Sequence, residues 1–317
     1  MKGIVYKSTG SWYQVKTSGG VRLKCKLKGK IRLQGLKSTN PIAVGDKVEY
    51  ELSEDGDETI GIIKDFEDRK NFIIRKSVNL SKQTHILAAN IDLAFLVITL
   101  NNPETTTTFI DRFLISSEAY DVETVLLFNK LDTLDKNEFG ELKYLAETYR
   151  EIGYNCIGIS AITGKNLEQV KALMKGKVSV FAGHSGVGKS SIINAMDPKI
   201  DIKTKSLSEQ HNQGLHTTTF AEMHETDFGA KIIDTPGIRG FGMINMKKEE
   251  VGDYFREFFA LKSECKFHNC LHINEPKCAI KAALSEDIIA YSRYKSYCQI
   301  IEELEEQDNT FRKNPYA

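Results

Sequence analysis

Short runs of alternating apolar and polar residues fill roughly the first 75 positions of the chain: GIVYKS, WYQVKT, VRLKCKL, KVEYEL and TIGIIKDF, separated by Gly, Asn, Pro and Asp. A period of two bounded by turn residues predicts five half-buried strands, and five short strands without helical periodicity predict a small β-barrel. An OB-type barrel, which binds oligonucleotides on one strand face, is the common five-stranded solution, and an SH3-like barrel is the alternative. From about Thr84 the pattern changes to apolar runs, IDLAFLVITL, ETVLLFNK, YNCIGISA, VSVFAG and AKIIDTPG. Between some of these lie amphipathic stretches such as EFGELKYLAETYREIG and NLEQVKALMKG. That alternation predicts a buried, largely parallel sheet with helices on both faces, a fold that binds ligands at the carboxyl ends of its strands. Beyond about Gly242 the strands stop, and EEVGDYFREFFAL and EDIIAYSRYKSYCQIIEELEEQ predict helices, followed by a frayed end. The expected division is a barrel over 1–75, an α/β domain over 76–240 and a helical domain over 241–317.

Charge adds one point to this picture. Lys plus Arg and Asp plus Glu each number 43, yet residues 1–50 hold 11 of the basic residues and only 2 of the acidic ones. A barrel with that excess suits a polyanion, either as a nucleic-acid surface or simply as a solvated basic face. No apolar run reaches the roughly 18 residues of a membrane span, and the N-terminus lacks an apolar signal core, so a cytoplasmic protein without a membrane partner is expected.

The α/β segment carries phosphate chemistry. GHSGVGKS, Gly183 to Ser190, fits G-x-x-x-x-G-K-S between the strand-like VSVFAG and the helix-like SSIINAM. The glycines let backbone N–H groups of Gly183, His184, Ser185, Gly186, Val187 and Gly188 turn toward phosphate oxygens. Lys189 neutralises the outer phosphates, Ser190 can ligate magnesium, and Ser191 follows at the helix N-terminus. DTPG follows the apolar AKII: Asp234 is placed to orient magnesium and the Gly237 amide to sense the terminal phosphate. Between them NQGLHTTTF is a polar loop whose threonines offer a second magnesium-ligating hydroxyl, Thr218 being the choice among three.

NKLD reads guanine. Asp132 can accept hydrogen bonds from guanine N1 and its amino group, Asn129 can bond the base edge, and Lys130, followed by Leu131, can pack its stem along it. That acceptor pattern rejects adenine. ISA at the end of the next run places Ser160 and Ala161 as a support for the guanine carbonyl. NKLD nevertheless precedes the phosphate loop, the reverse of the ordinary GTPase order, as though such a domain had been cut after its support loop and its old termini joined.

A further cluster, Cys265, Cys270, His272 and Cys278, has the spacing C-x4-C-x-H-x5-C. Three thiolates and an imidazole suit one tetrahedral structural zinc, with His268 as a competing ligand and a redox or iron–sulfur role as the alternative. Cys25, Cys156 and Cys298 read as packed thiols.

With AANID, IDRFL, NKLD, SAITGKNL, GHSGVGKSS, HTTT, DTPG and the cysteine cluster, the chain resembles, nearly end to end, the circularly permuted GTPase family of the ribosome small-subunit-dependent GTPase A. The resemblance implies an OB barrel, a permuted GTPase domain and a helical zinc domain. It also implies GTP hydrolysis, stimulated by the small (30S) ribosomal subunit, that assists that subunit's late maturation. The partners are then the small subunit and its rRNA, with GTP and GDP, and the chain is expected to be a monomer. Ile238 stands where many GTPases carry a water-orienting Gln, and His216 in the polar loop is the alternative; the resemblance implies the same role for it. The family often has Arg before that His, where this chain has Leu215. A GTP-dependent ribosome tether with incidental hydrolysis is the second reading. A phosphate-loop kinase is a third, which the guanine-selecting Asp132 opposes.

Overall fold

The computed structural model describes residues 1–29, 41–55, 58–76, 84–202, 220–235 and 246–313. Five strands, β1 (Lys2–Ser8), β2 (Tyr13–Thr17), β3 (Arg22–Leu27), β4 (Lys47–Asp55) and β5 (Glu58–Phe66), coincide with the five alternating runs. They pair in the order β1-β2-β3-β5-β4 and close back on β1, with β3 and β5 parallel and the other pairs antiparallel. Closure removes the free edges that five short strands would otherwise expose. The inward members of each alternation, among them Val5, Tyr13, Val15, Cys25, Val48 and Ile63, form the barrel's own core.

A two-stranded sheet follows, β6 (Phe72–Lys76) with β7 (Thr84–Ala89), which the sequence pattern did not reveal. It is clamped to the barrel by a buried ion pair: Arg69 Nε and Nη2 each lie 2.7 Å from the two Asp46 carboxylate oxygens. Pro41 O and the Ala43 amide complete the hydrogen bonding of that pair.

The α/β domain contains β8 (Leu93–Ile98), α1 (Thr107–Ala119), β9 (Thr124–Phe128), α2 (Lys136–Glu151), β10 (Asn155–Gly158), α3 (Leu167–Met174), β11 (Val178–Ala182), α4 (Lys189–Met196), β12 (Glu222–Glu225) and β13 (Lys231–Asp234). Strand order is β10-β9-β8-β11-β13-β12, parallel from β10 to β13, with β12 antiparallel at the end. Alternation along each strand splits the apolar residues between two cores. Ala94, Leu96, Leu126, Phe128 and Val180 face α1 and α2, while Phe95, Val97, Val125, Leu127 and Phe181 face α3 and α4. This is why the runs read as continuously hydrophobic. β12 also pairs with β1 through Lys7↔Glu222, so one sheet continues from the α/β domain into the barrel.

The last domain contains α5 (Lys248–Val251), α6 (Arg256–Leu261), α7 (Ala279–Ser285) and α8 (Tyr291–Lys313), with no strand among its described residues. The expected helix over EEVGDYFREFFAL is broken: Phe255 is extended, and its ring lies 4.4 Å from the Arg293 guanidinium and 5.0 Å from Phe258. Asp287 takes a left-handed conformation, so α8 begins at Tyr291 rather than at EDIIA, and it runs through NTFRK to Lys313 instead of fraying there. The core of this domain includes Ile115 from α1. Arg293 of α8, 1% exposed, reaches across to Asp111 of α1 at 2.5 Å while also meeting Glu257 at 2.7 Å. Tyr149 of α2 donates to the same Asp111 oxygen at 2.7 Å. Burial opposes the Arg293 charge, but the two carboxylates hold its pKa well above the ordinary arginine value.

Candidate functional site

The motif residues leave the sheet at carboxyl ends of parallel strands. β9 delivers Asn129–Asp132, β10 delivers Ser160 and Ala161, β11 delivers the phosphate loop, and β13 ends on Asp234. Asn129 is the keystone. Its side-chain amide, almost wholly buried, donates from Nδ2 to Val187 O of the phosphate loop at 2.8 Å, and its Oδ1 accepts from the Ala161 amide at 3.2 Å. One carboxamide thus ties the guanine reader, the support loop and the phosphate loop together. Its fit also explains Gly188, which has φ +100°: a Cβ there would lie 2.4 Å from Asn129 Nδ2. Only glycine takes that backbone conformation and leaves that space.

Asp132 is exposed and accepts from the buried Ser160 hydroxyl at 2.5 Å, while the Thr163 amide donates to Ser160 Oγ at 3.0 Å. Serine therefore orients the carboxylate that would read the base. Lys130 sits in the left-handed region and donates to Asn102 O; burial lowers its pKa. In the phosphate loop Lys189 Nζ donates to Gly183 O at 2.8 Å and His184 O at 2.7 Å, so its charge lies inside the loop. Ser190 and Ser191 lie in the first turn of α4, where unpaired N–H groups and the helix dipole favour anions. The His184 ring stacks on Phe109 of α1, centroids 3.9 Å apart, a contact that sequence spacing could not reveal. His216, Thr218 and Gly237 lie outside the described residues.

In the last domain Cys265, Cys270, His272 and Cys278 bring one ligand atom each to within 4.8 Å of one another. His272 Nδ1 lies 3.6 Å from Cys265 Sγ and 3.4 Å from Cys278 Sγ, and the latter two sulfurs are 4.0 Å apart. Bonds of about 2.3 Å to sulfur and 2.0–2.1 Å to nitrogen at tetrahedral angles require edges of this length, so the donor set can hold a metal ion. Burial lowers the His272 pKa, in the direction of the neutral imidazole that ligates metals, while chiefly burial pushes the Cys270 thiol up to about 12. The loop is braced from outside. Glu275 accepts from the Leu271, Ile273 and Asn274 amides, Tyr294 and Tyr297 donate to His272 O and Leu271 O at 2.8 Å, and the Ala279 amide points at Cys265 Sγ. His268 is not among the converging ligands.

A family model described as RsgA GTPase matches residues 66–244, and one described as RsgA N-terminal domain matches residues 2–62. The chain belongs to the RsgA GTPase family. It is 62% identical to the small ribosomal subunit biogenesis GTPase RsgA of Christiangramia forsetii over 316 residues, covering 100% of this chain and 99% of that one. It is 57% identical to the protein of the same name from Flavobacterium psychrophilum, covering 100% and 96%. Among solved structures, YjeQ from Thermotoga maritima superposes with a TM-score of 0.77 at 38% identity, covering 96% of this chain and 98% of that one. YloQ, described as a circularly permuted GTPase, gives 0.74 at 28% identity, covering 96% and 95%. Family membership makes the chain a GTP hydrolase with motifs in permuted order, and the closed five-stranded barrel and Cys3His cluster complete the expected architecture. Among the described residues no helix is long and apolar enough to cross a membrane. Residues that the motifs did not identify are the second layer: Phe109, Arg293, Glu275 and the two tyrosines of α8.

Proposed function

We propose that this chain hydrolyses GTP to GDP and phosphate on the small ribosomal subunit, that the subunit stimulates turnover, and that the cycle assists the subunit's late maturation. The observation that carries the enzymatic half is the Asn129 bridge, which joins the base-reading and phosphate-holding loops into one nucleotide site. Asp132 selects guanine, Ser160 and Ala161 support its carbonyl, and Lys189 with the loop amides from Gly183 to Ser191 holds the phosphates. Ser190, Thr218 and Asp234 are the residues that would hold magnesium, which when bound neutralises charge on the phosphates. The Gly237 amide would sense the terminal phosphate, and His216 would orient the attacking water, a task Ile238 cannot perform. Cys265, Cys270, His272 and Cys278 hold one structural zinc. The working division is barrel 1–75, permuted GTPase 76–240 and zinc domain 241–317, acting as a cytoplasmic monomer.

The ribosomal half is supported by the names of the relatives and by the barrel. Trp12 carries Lys24 and Lys26 ammonium groups 4.3 and 4.4 Å from its ring centroid. An aromatic ring flanked by cations suits RNA, whose phosphate contacts would make binding salt-sensitive. The second reading, a tether with incidental hydrolysis, is permitted by Ile238. His216→Ala decides between them. Turnover on purified small subunits is expected to fall by at least tenfold while GTP affinity stays within threefold, and unchanged turnover would remove the water-orienting role.

A further inference from the structure

Helix α1 touches the phosphate loop at one end and the zinc-cluster domain along its length. In its first turn Phe109 stacks on His184, centroids 3.9 Å apart and planes inclined by 31°. Thr108 Oγ1 donates to Gln299 of α8 at 2.5 Å, Asp111 receives Arg293 at 2.5 Å, and Arg112 pairs with Glu303. Ile115, one turn further along, is part of the core of the last domain. From α8 the contacts continue to the metal-ligand loop through the Tyr294 and Tyr297 hydroxyls, on His272 O and Leu271 O. Packed side chains therefore run without a break from phosphate loop to α1, from α1 to α8, and from α8 to the Cys3His loop.

We infer that α1 couples the zinc domain to the phosphate loop, so that a partner that shifts this domain acts on the nucleotide site through α1, and that Phe109 and His184 are the positioning pair at its end. The inference rests on the reading that the partner is the small ribosomal subunit. Chain order offers another route, from Asp234 into the last domain; among the described residues the side-chain contacts run through α1.

The joint between α1 and α8 is built to move as one piece. Arg293 and Asp111 are 1% and 0% exposed, and a fully buried charge pair fixes relative orientation, because any slip leaves a charge unpaired. The α8 contacts of Thr108, Asp111 and Arg112, and Ile115 in the core of the last domain, lie within two turns of Phe109 on the same helix, so a shift of α8 is carried to Phe109 through a short rigid segment. Beside Phe109, the His184 ring is attached to the backbone proposed to supply phosphate-binding N–H groups. A displacement of about 1 Å there is enough to change turnover by roughly 100-fold. Coupling of this kind is reciprocal: whatever factor the partner imposes on nucleotide affinity, nucleotide imposes on partner affinity.

The test uses the full chain with its metal. Phe109→Ala removes the packed ring, Phe109→Leu keeps its bulk without the aromatic face, and Arg112→Glu with Glu303→Arg, singly and together, breaks and restores the ion pair that ties α1 to α8. Basal GTP turnover of the Phe109 variants is expected to stay within threefold of the parent, while stimulation by small subunits falls at least tenfold. The ratio of small-subunit affinities with a non-hydrolysable GTP analogue and with GDP should move toward one. Arg112→Glu should lose stimulation, and the charge-swapped pair should regain it. Full stimulation in all variants, or basal and stimulated rates falling by the same factor in Phe109→Ala, would overturn the relay. A readout without ribosomes separates it from the functional reading. In the free chain, amide hydrogen exchange over 265–278 should slow at least threefold on adding the GTP analogue, and should not respond in Phe109→Ala. If the parent chain is not stimulated by small subunits yet shows this exchange response, the functional reading fails and the relay stands; if exchange in the parent does not respond, the relay fails.

Discussion

Replacing Asn129 with Ala tests the claim that one carboxamide holds the nucleotide site together. The substitution removes the donor to Val187 O at 2.8 Å and the acceptor from the Ala161 amide at 3.2 Å, in a place where the Asn129 side chain is 2% exposed. Each backbone group left without a partner costs about 1–3 kcal/mol when water cannot replace the bond. Val187 is fully buried and Ala161 is half-buried, so the larger part of the loss falls on the phosphate loop. A total of about 2–4 kcal/mol follows, divided between folding stability and nucleotide binding. Taking half for each, GTP affinity falls by about 5–30-fold, since 1.4 kcal/mol is a factor of ten. The melting transition of the α/β domain falls by about 2–8 °C, from about 2–4 °C per kcal/mol for a domain of this size. Asp132→Ala is the control, because that exposed carboxylate, proposed to read the base, bonds Ser160 of the support loop but makes no bond to the phosphate loop. It should cost affinity for GTP over ATP and leave the transition within about 1 °C, as surface changes do. Calorimetric titration with GTP and a thermal melt without nucleotide give both numbers. An Asn129→Ala chain that melts like the parent and binds GTP equally well would refute the bridge.

Three further outcomes follow from the described geometry. Arg69→Ala leaves Asp46 buried with no cation and should destabilise the barrel by about 3–5 kcal/mol in denaturant unfolding followed by barrel fluorescence; a cost below 1 kcal/mol would contradict the clamp. Purified chain should contain one zinc per molecule, and a chelator or Cys278→Ser should release it and collapse the near-ultraviolet signal of Tyr294 and Tyr297, whereas metal-free protein with an intact signal would remove the structural site. Glu225, whose pKa is lowered by its hydrogen bond from Lys16 and then by that from Tyr6, joins the barrel to β12. Because the folded-state value is depressed, its contribution is present above the ordinary 4.5 and is lost as pH falls through the folded value. Glu225→Gln should therefore flatten the acid limb of a stability-versus-pH curve, and an unchanged limb would refute the assignment.

What could be read along the chain was whatever depends on spacing. The barrel strands follow from alternation, the permuted sheet from its two-sided apolar runs, and the guanine, phosphate and metal motifs from fixed offsets. β12 escaped notice because EMHE offers a single core-facing residue, Met223, and owes its strand to neighbours on both sides. α1 was obscured because Asp111, Ser116 and Ser117 lie on its buried side and blur the amphipathic period. Arg293 reads as one more surface charge on a helix, and its burial depends on carboxylates 182 and 36 residues away in sequence. Joints between domains are made of such distant pairs, and no local pattern encodes them.

The central claim is that this GTPase is driven by the small ribosomal subunit, and GTP turnover titrated with purified small and large subunits tests it most directly. A saturable rise of at least tenfold with small subunits, absent with large subunits and weakened by added salt, is the predicted result. A flat response to small subunits at a concentration where the chain co-sediments with them would contradict it.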